Sequence, residues 1–146
     1  MKKKAVSLIA ALCMVFAMLP VMGMAADTSR GSCGENVSWT LDADGVLTIS
    51  GAGKMDDYEY YGSPSEGKTA PWYEQKDSIK KVIIEDGVTS IGSNAFLNCG
   101  SVTSVEAAQS VESIGGNAFW NCSALVSIEI PKNVKSIGGY AFPMVE

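Results

Sequence analysis

The sequence predicts a β-rich α/β solenoid, in which about three coils of 23 residues stack behind an N-terminal β-hairpin cap. The first observation is a repeat that begins at Ile79, Val102 and Leu125, so that its starts lie 23 residues apart. The second is that apolar residues keep the same columns in each copy. Three of these columns are Val82, Val105 and Ile128; Ile91, Ile114 and Ile137; and Phe96, Phe119 and Phe142. A fixed period of this length is typical of stacked repeat units.

The first 26 residues have the three parts of a secretory signal peptide. Three lysines follow the initiating methionine, an apolar run covers 5–21, and small residues then allow cleavage after Ala25 or Ala26. We therefore expect residues 1–26 to be removed and the protein to be secreted or displayed on the cell surface. The alternative is an uncleaved membrane anchor, because the apolar run is about as long as the shortest membrane spans.

The remainder is a small acidic chain. The 146 residues include 11 basic and 16 acidic ones, and loss of the three leader lysines changes the formal net charge from −5 to −8. A negative surface disfavours nucleic acid and anionic membranes as partners, since both attract basic proteins. The sequence contains no histidine, which is the commonest catalytic base and metal ligand.

Three cysteines follow the leader, namely Cys33, Cys99 and Cys122. An odd number allows no complete disulfide framework. Cys99 and Cys122 hold the same repeat position, and stacked strands lie about 4.8 Å apart, which is within the reach of a disulfide. Side chains stacked in register point the same way, however, so the prediction is two buried thiols, with a disulfide as the alternative.

Residues 27–78 are predicted to form a capping segment. It begins with small and polar residues over 27–34, where we expect a loose N-terminus. Apolar and polar residues then alternate over 37–41 and again over 46–50, and the loop between them ends in Asp-Gly. This pattern predicts a β-hairpin.

Two carboxylates, Asp42 and Asp44, lie in the loop of this hairpin. They could begin a calcium-binding loop, but the other positions of an EF-hand do not follow them. A turn explains both residues, because aspartate side chains accept hydrogen bonds from nearby backbone amides.

An irregular segment is predicted over 54–71, followed by a short helical turn that Pro71 opens and that ends near Lys76. Tyrosines are concentrated in the segment, at Tyr58, Tyr60 and Tyr61. With Trp39 and Trp72, they could cover the open apolar end of the first coil. The alternative is a ligand-binding loop, since tyrosine and tryptophan are favoured at binding surfaces.

Residues 79–146 are predicted to form the repeats, each with two short strands, a turn between them, and a short helical turn that carries a phenylalanine into the core. The third copy stops early, because Pro143 replaces the end of the unit and no polar cap follows. We therefore expect the chain to be a fragment of a longer repeat protein, whose further coils would cover this edge. The alternative is self-association, which an uncapped strand edge favours.

The repeat phrase V-x-S-I-G-x-x-A-F-x-x-C-x-x-L resembles the BspA-type leucine-rich repeat of bacterial surface proteins. It is matched from Val88 through Cys99 in the first copy and from Val111 through Leu125 in the second. The stretch from Cys33 to Gly51 is similar to the segment that often precedes such repeats. The resemblance implies a leucine-rich-repeat solenoid that mediates protein or glycan binding, as an adhesin does. The alternative function is a targeting or spacer fragment of a larger secreted enzyme or surface protein.

A candidate ligand-binding surface follows from the outward positions of the first strand in each coil, together with the three tyrosines. The outward positions form two ladders, Lys81, Ser104 and Ser127, and Ile83, Glu106 and Glu129. Stacked glutamates could bind a basic partner or a cation. The alternative is a solvated face, because two carboxylates alone are a poor cage for a metal ion.

No catalytic constellation is recognisable. The serines have no histidine to activate them, no Gly-x-Ser-x-Gly motif is present, and the glycine pairs lack the lysine of a phosphate-binding loop. We therefore predict a protein that is not an enzyme and that uses neither cofactor nor metal.

Overall fold

The structure, a computed structural model, describes residues 28–60 and 68–144. Over these residues it contains nine strands and one 3₁₀ helix. They are β1 (Ser29–Ser32), β2 (Val37–Leu41), β3 (Val46–Gly51), β4 (Gly53–Lys54), the 3₁₀ helix (Tyr73–Ser78), β5 (Lys81–Ile84), β6 (Val88–Ile91), β7 (Ser104–Ala107), β8 (Ser113–Ile114) and β9 (Ser136–Ile137). The predicted signal peptide and Tyr61 lie outside the described residues.

The strands form two sheets. One has five strands in the order β1-β2-β3-β5-β7, and the other has four in the order β4-β6-β8-β9. The predicted hairpin is confirmed, because β2 and β3 pair antiparallel with Trp39 opposite Ile49. From β3 onward the pairing is parallel, with Leu47 beside Val82. The cap thus contributes one strand to each sheet next to the first coil: β3 pairs with β5, and β4 pairs with β6. These two strands cover the edges of the first coil.

The prediction of a loose N-terminus is wrong for residues 29–32. They form β1, which pairs antiparallel with β2 from Ser29 opposite Leu41 to Ser32 opposite Ser38. Cys33, which follows, is buried with 1% of its surface exposed. The physical reason is that β2 would otherwise present an unpaired edge, and β1 satisfies its backbone groups.

The two-strand coil is confirmed in the first two copies. Val82 lies beside Val105 in one sheet, and Ile91 lies beside Ile114 in the other. All four side chains are buried. The predicted helical turn is present as a 3₁₀ helix, but it begins at Tyr73, two residues after Pro71, and ends two residues beyond the expected end.

In the third copy, only the second strand forms. Residues 126–130 adopt no strand, and Val126 is 86% exposed. A local cause is Pro131, the residue that directly follows this segment. In the second coil, Ala108 donates its backbone N–H to the carbonyl of Ile84 at 2.9 Å. Pro131 holds the same position in the third coil and has no N–H to donate, so the equivalent bond cannot form.

The core contains a column of stacked aromatic rings. Phe96 and Phe119 are fully buried, and their ring centroids lie 5.1 Å apart. Phe142 continues the column at 6.1 Å from Phe119, and Trp72 begins it at 5.5 Å from Phe96. The indole Nε1 of Trp72 also donates to the carbonyl of Ala95 at 2.8 Å. The cap therefore provides a ring of its own at the position of a repeat phenylalanine.

Turns rather than a helix carry these phenylalanines. In the first coil, the backbone amides of Ala95, Leu97 and Cys99 each donate to the carbonyl three residues earlier. Asn94 and Asn98, which directly precede Ala95 and Cys99, have positive φ angles of 57° and 62°. Asparagine tolerates this left-handed conformation better than most residues, which explains its place in the repeat.

Candidate functional site

The outward ladders form on the first two coils. Lys81 lies beside Ser104, and Ile83 lies beside Glu106, in the parallel pairing of β5 with β7. The ammonium of Lys81 contacts the carboxylate of Glu106 at 2.6 Å. This ion pair crosses diagonally from one ladder to the other and partly neutralises Glu106.

Residues of the third coil contribute to this surface, although they form no first strand there. Ser127 and Glu129 are both exposed. Glu129 nevertheless lines a cleft of about 370 Å³ together with Ile83 and Glu106. We call it the strand-face cleft, and its defining residues are Ile83, Glu106, Ala107, Ala108, Gln109, Glu129 and Pro131. Three predicted ladder residues are thus brought together.

The strand-face cleft is lined by both apolar and acidic residues. Ile83, Ala108 and Pro131 contribute carbon atoms, and Gln109 is held in place because its side-chain oxygen accepts a hydrogen bond from the Lys132 amide at 2.9 Å. Within residues 28–60 and 68–144, no ion pair engages Glu129. A long basic side chain fits this chemistry, since its carbon stem covers apolar surface while its charge meets a carboxylate.

Tyr58 and Tyr60, the two predicted tyrosines that the structure describes, do not join this surface. Tyr58 is 4% exposed, and its ring packs edge-on against Trp72 at 5.9 Å, so it covers the core. Its burial raises the pKa of the phenol well above the usual range. Tyr60 lies elsewhere, with its ring 5.7 Å from that of Trp120.

A second surface, which sequence reasoning missed, surrounds Tyr60. We call it the aromatic patch, and its residues are Tyr60, Asn117, Trp120, Tyr140 and Met144, which line an open cavity of about 470 Å³. A signal was available in the repeat. Trp120 occupies the column of Leu97, and Tyr140 occupies the column of Asn94. In each of these two columns, one copy has an aromatic residue where the other two copies have none.

The three cysteines are free thiols, and all are buried, which confirms the prediction for Cys99 and Cys122. Burial raises the pKa of Cys33 to about 12 and that of Cys122 to about 12. The thiol of Cys122 donates to the carbonyl of Phe96 at 3.1 Å. These side chains are therefore packing groups in the neutral form.

No group of three or more cysteine, aspartate or glutamate side chains in the described part of the chain could hold a metal ion. Over the same residues, no helix has both the length and the apolar character needed to cross a membrane.

Comparison with known proteins identifies the repeats. The family model for the BspA type leucine-rich repeat region, which has six copies, matches residues 70–146. No curated protein matches the sequence. A leucine-rich repeat protein from Eubacterium ventriosum ATCC 27560, solved as a crystal structure, is 36% identical with a TM-score of 0.65. The alignment covers 76% of this chain and 28% of that one, so the chain spans about a quarter of its relative.

Two further crystal structures are less similar. The leucine-rich repeat protein of T. pallidum is 19% identical over 68% of this chain and 50% of its own, with a TM-score of 0.47. A leucine-rich cell surface protein from Faecalibacterium prausnitzii A2-165 is 27% identical over 76% of this chain and 33% of its own, with a TM-score of 0.42. The match of the family model to more than half of the sequence shows that this chain belongs to the BspA type leucine-rich repeat family.

Proposed function

We propose that the protein is a non-catalytic repeat module, secreted or displayed on the cell surface, that binds an extracellular protein through the strand-face cleft. Membership of a repeat family supports a binding role, and the signal-like residues 1–26 support export. The observation that carries the proposal is the position of Glu129, an acidic group outside every ion pair of the described residues, in a cleft that it lines together with the apolar residues Ile83 and Pro131.

The partner would present a basic segment. Its lysine or arginine stem packs on Ile83 and Pro131, and its charge faces Glu129. A protein with a formal charge of −8 after loss of its leader lysines also attracts basic partners over longer distances, which speeds association.

The test is to immobilise residues 27–146 and to measure binding of extracellular-matrix proteins, before and after acetylation of the partners' lysines. The double substitution Glu106→Lys with Glu129→Lys is expected to weaken binding about tenfold or more, mainly through slower association. Partners that bind through lysine should bind the parent protein equally weakly after acetylation, which removes the lysine charge, whereas those that bind through arginine keep their charge and their affinity.

The control is Glu74→Lys with Glu112→Lys, which makes the same change in net charge at two exposed positions outside the cleft. If both double variants lose binding equally, the net charge rather than the cleft is responsible. If matrix proteins bind the cleft variant as well as the parent, the cleft is not the site. A lack of binding by any partner would favour the alternative, a targeting or spacer segment.

A further inference from the structure

The aromatic patch is an exposed surface of rings on the side of the second and third coils. Tyr60 and Trp120 meet edge to face, with ring centroids 5.7 Å apart and an interplanar angle of 61°. Tyr140 is 70% exposed and Met144 is 76% exposed. Large apolar side chains grouped on a surface mark an interaction site more often than single exposed ones do.

Tyr140 is held in an unfavourable backbone conformation. Its φ angle is 55°, in the left-handed region, where bulky residues are uncommon. The same position in the other two copies is occupied by Asn94 and Asn117, with φ angles of 57° and 55°. Asparagine suits the conformation that the repeat imposes, whereas tyrosine makes it costly. Because the ring is mostly exposed, packing offsets little of this cost.

The patch is also electrically neutral in a strongly acidic protein. None of the five residues that line it is charged, whereas the whole sequence has a formal charge of −5. Among the described residues that line the patch, a charged ligand meets no side chain of opposite charge. A ligand that matches the patch has apolar faces to lie on the rings, and neutral hydroxyl groups to reach the Asn117 amide and the tyrosine hydroxyls.

We propose that the aromatic patch binds a neutral oligosaccharide, with the C–H face of a pyranose ring against Trp120 or Tyr140. Pyranose rings present flat arrays of C–H groups bordered by hydroxyls, which is the combination that the patch complements. Backbone strain kept at Tyr140 fits such a role, since strained residues cluster at binding sites. The site shares no residue with the strand-face cleft, so an experiment that contradicts one proposal leaves the other intact.

Tryptophan fluorescence provides a direct test. Trp39 and Trp72 are buried, with 5% and 0% exposure, so Trp120 is the tryptophan that a ligand in the patch reaches. The probes are cellohexaose, xylohexaose and mannohexaose, and polygalacturonate serves as an anionic comparison. We expect at least one neutral hexasaccharide to shift the emission with saturable dependence and the polyanion not to do so. No shift with any hexasaccharide up to about 10 mM, which is weaker than most specific binding, would overturn the proposal.

Substitutions at Tyr140 separate binding from stability. Tyr140→Asn restores the residue of the other two copies, so the variant is expected to unfold at a higher temperature and to bind the sugar at least tenfold more weakly. Tyr140→Phe keeps the ring and should bind within about threefold of the parent. The matched control is Val126→Asn, at an exposed apolar position of the third coil outside the patch. Equal sugar affinity of Tyr140→Asn and the parent protein, or equal losses of affinity in Tyr140→Asn and Val126→Asn, would refute a site at Tyr140.

Discussion

At the scale of single residues, one carboxylate organises the turn of the cap. Oδ1 of Asp42 accepts hydrogen bonds from the backbone amides of Asp44, at 2.9 Å, and Val46, at 3.0 Å. Within the described residues, the carboxylate of Asp44 has no such contact. The interpretation of Asp42 and Asp44 as turn residues is therefore confirmed for Asp42, with Asp44 contributing its amide.

The two aspartates make a matched pair for mutagenesis. Asp42→Ala is expected to lower the free energy of unfolding by about 1 kcal/mol, because it removes the acceptor of two backbone amides. Asp44→Ala should change it by less than about 0.5 kcal/mol. Urea denaturation of both variants measures the difference. Equal losses would contradict the assignment of the turn to Asp42.

The buried thiols make stability depend on alkaline pH. The folded-state pKa is about 12 for Cys33 and about 12 for Cys122, against an ordinary value of 9.0, because burial disfavours the thiolate. Between these values the unfolded chain holds fewer protons than the folded one. The stability that the neutral thiols contribute is thus fully present below pH 9.0 and is lost as the pH rises toward 12.

Two measurements check this prediction. Ellman's reagent at about pH 8 should leave the thiols of the folded protein unmodified and should react with all three after unfolding in urea. Unfolding curves from about pH 8 to about pH 11 should give a steeper loss of stability for the parent protein than for Cys122→Ala, which has one thiol fewer. Rapid modification of a thiol in the folded protein would show that it is accessible.

At the scale of the element, each coil needs a glycine after its second strand. A Cβ atom built on Gly115 would overlap the backbone nitrogen of Ser93 in the preceding coil, and one built on Gly138 would overlap that of Gly116. Backbones of successive coils therefore touch at this corner. The constant Ile-Gly of the repeat is explained by this close approach.

Gly115→Ala is accordingly expected to lower stability by about 1–3 kcal/mol, because the coils must separate to admit the methyl group. Gly139→Ala is the control, since a Cβ there has no neighbour within 4 Å, and its effect should be below about 0.5 kcal/mol. Thermal unfolding of the two variants compares them directly. A stable Gly115→Ala protein would show that the corner can relax.

Side-chain hydroxyls also join the cap to the coils. Ser90 is only 8% exposed, and its hydroxyl accepts a hydrogen bond from the Met55 amide at 3.1 Å. The polar ladder that begins there continues in Ser113 and Ser136, which pair in register. Its first member is thus a structural residue that ties β4 to the repeats.

At the scale of the whole molecule, the aromatic column joins the cap to the last coil. Trp39 packs edge-on against Trp72, with centroids 5.8 Å apart, and Trp72 stacks on Phe96. The boundary that we predicted between 27–78 and 79–146 is a division of sequence pattern, and it stays a prediction. Packing is continuous across it, because Trp72 of the cap and Phe96 of the first coil belong to one core cluster.

Substitutions along the column should have graded effects. Phe119→Ala is expected to lower stability by about 3–5 kcal/mol, because its ring is fully buried between two others. Phe142→Ala should cost clearly less, because its ring is partly exposed at the end of the column. Denaturant unfolding measures both, and Tyr73→Ala, outside the column, is a suitable aromatic control. Equal losses at Phe119 and Phe142 would show that the column does not stabilise the coils as a continuous stack.

Two features of the candidate binding surfaces depended on more than the repeat pattern. The register of the first strands could be predicted, and it places Ile83 beside Glu106 as expected. The third ladder position could not, because Pro131 prevents a backbone bond and residues 126–130 form no strand. The aromatic patch was missed because Tyr60 and Trp120 are far apart in sequence and lie on different elements.

The sequence by itself determined the coil length, the hairpin, the columns that are buried in the first two coils, and the family of this protein. These features depend on local alternation and on a repeated period, which a single chain displays directly. The tertiary structure alone decided that residues 29–32 close the edge of β2, that Trp72 completes the column of phenylalanines, and that Glu129 and Tyr140 lie on two separate surfaces. Such contacts depend on the geometry with which distant segments pack, and no periodicity in the sequence encodes that geometry.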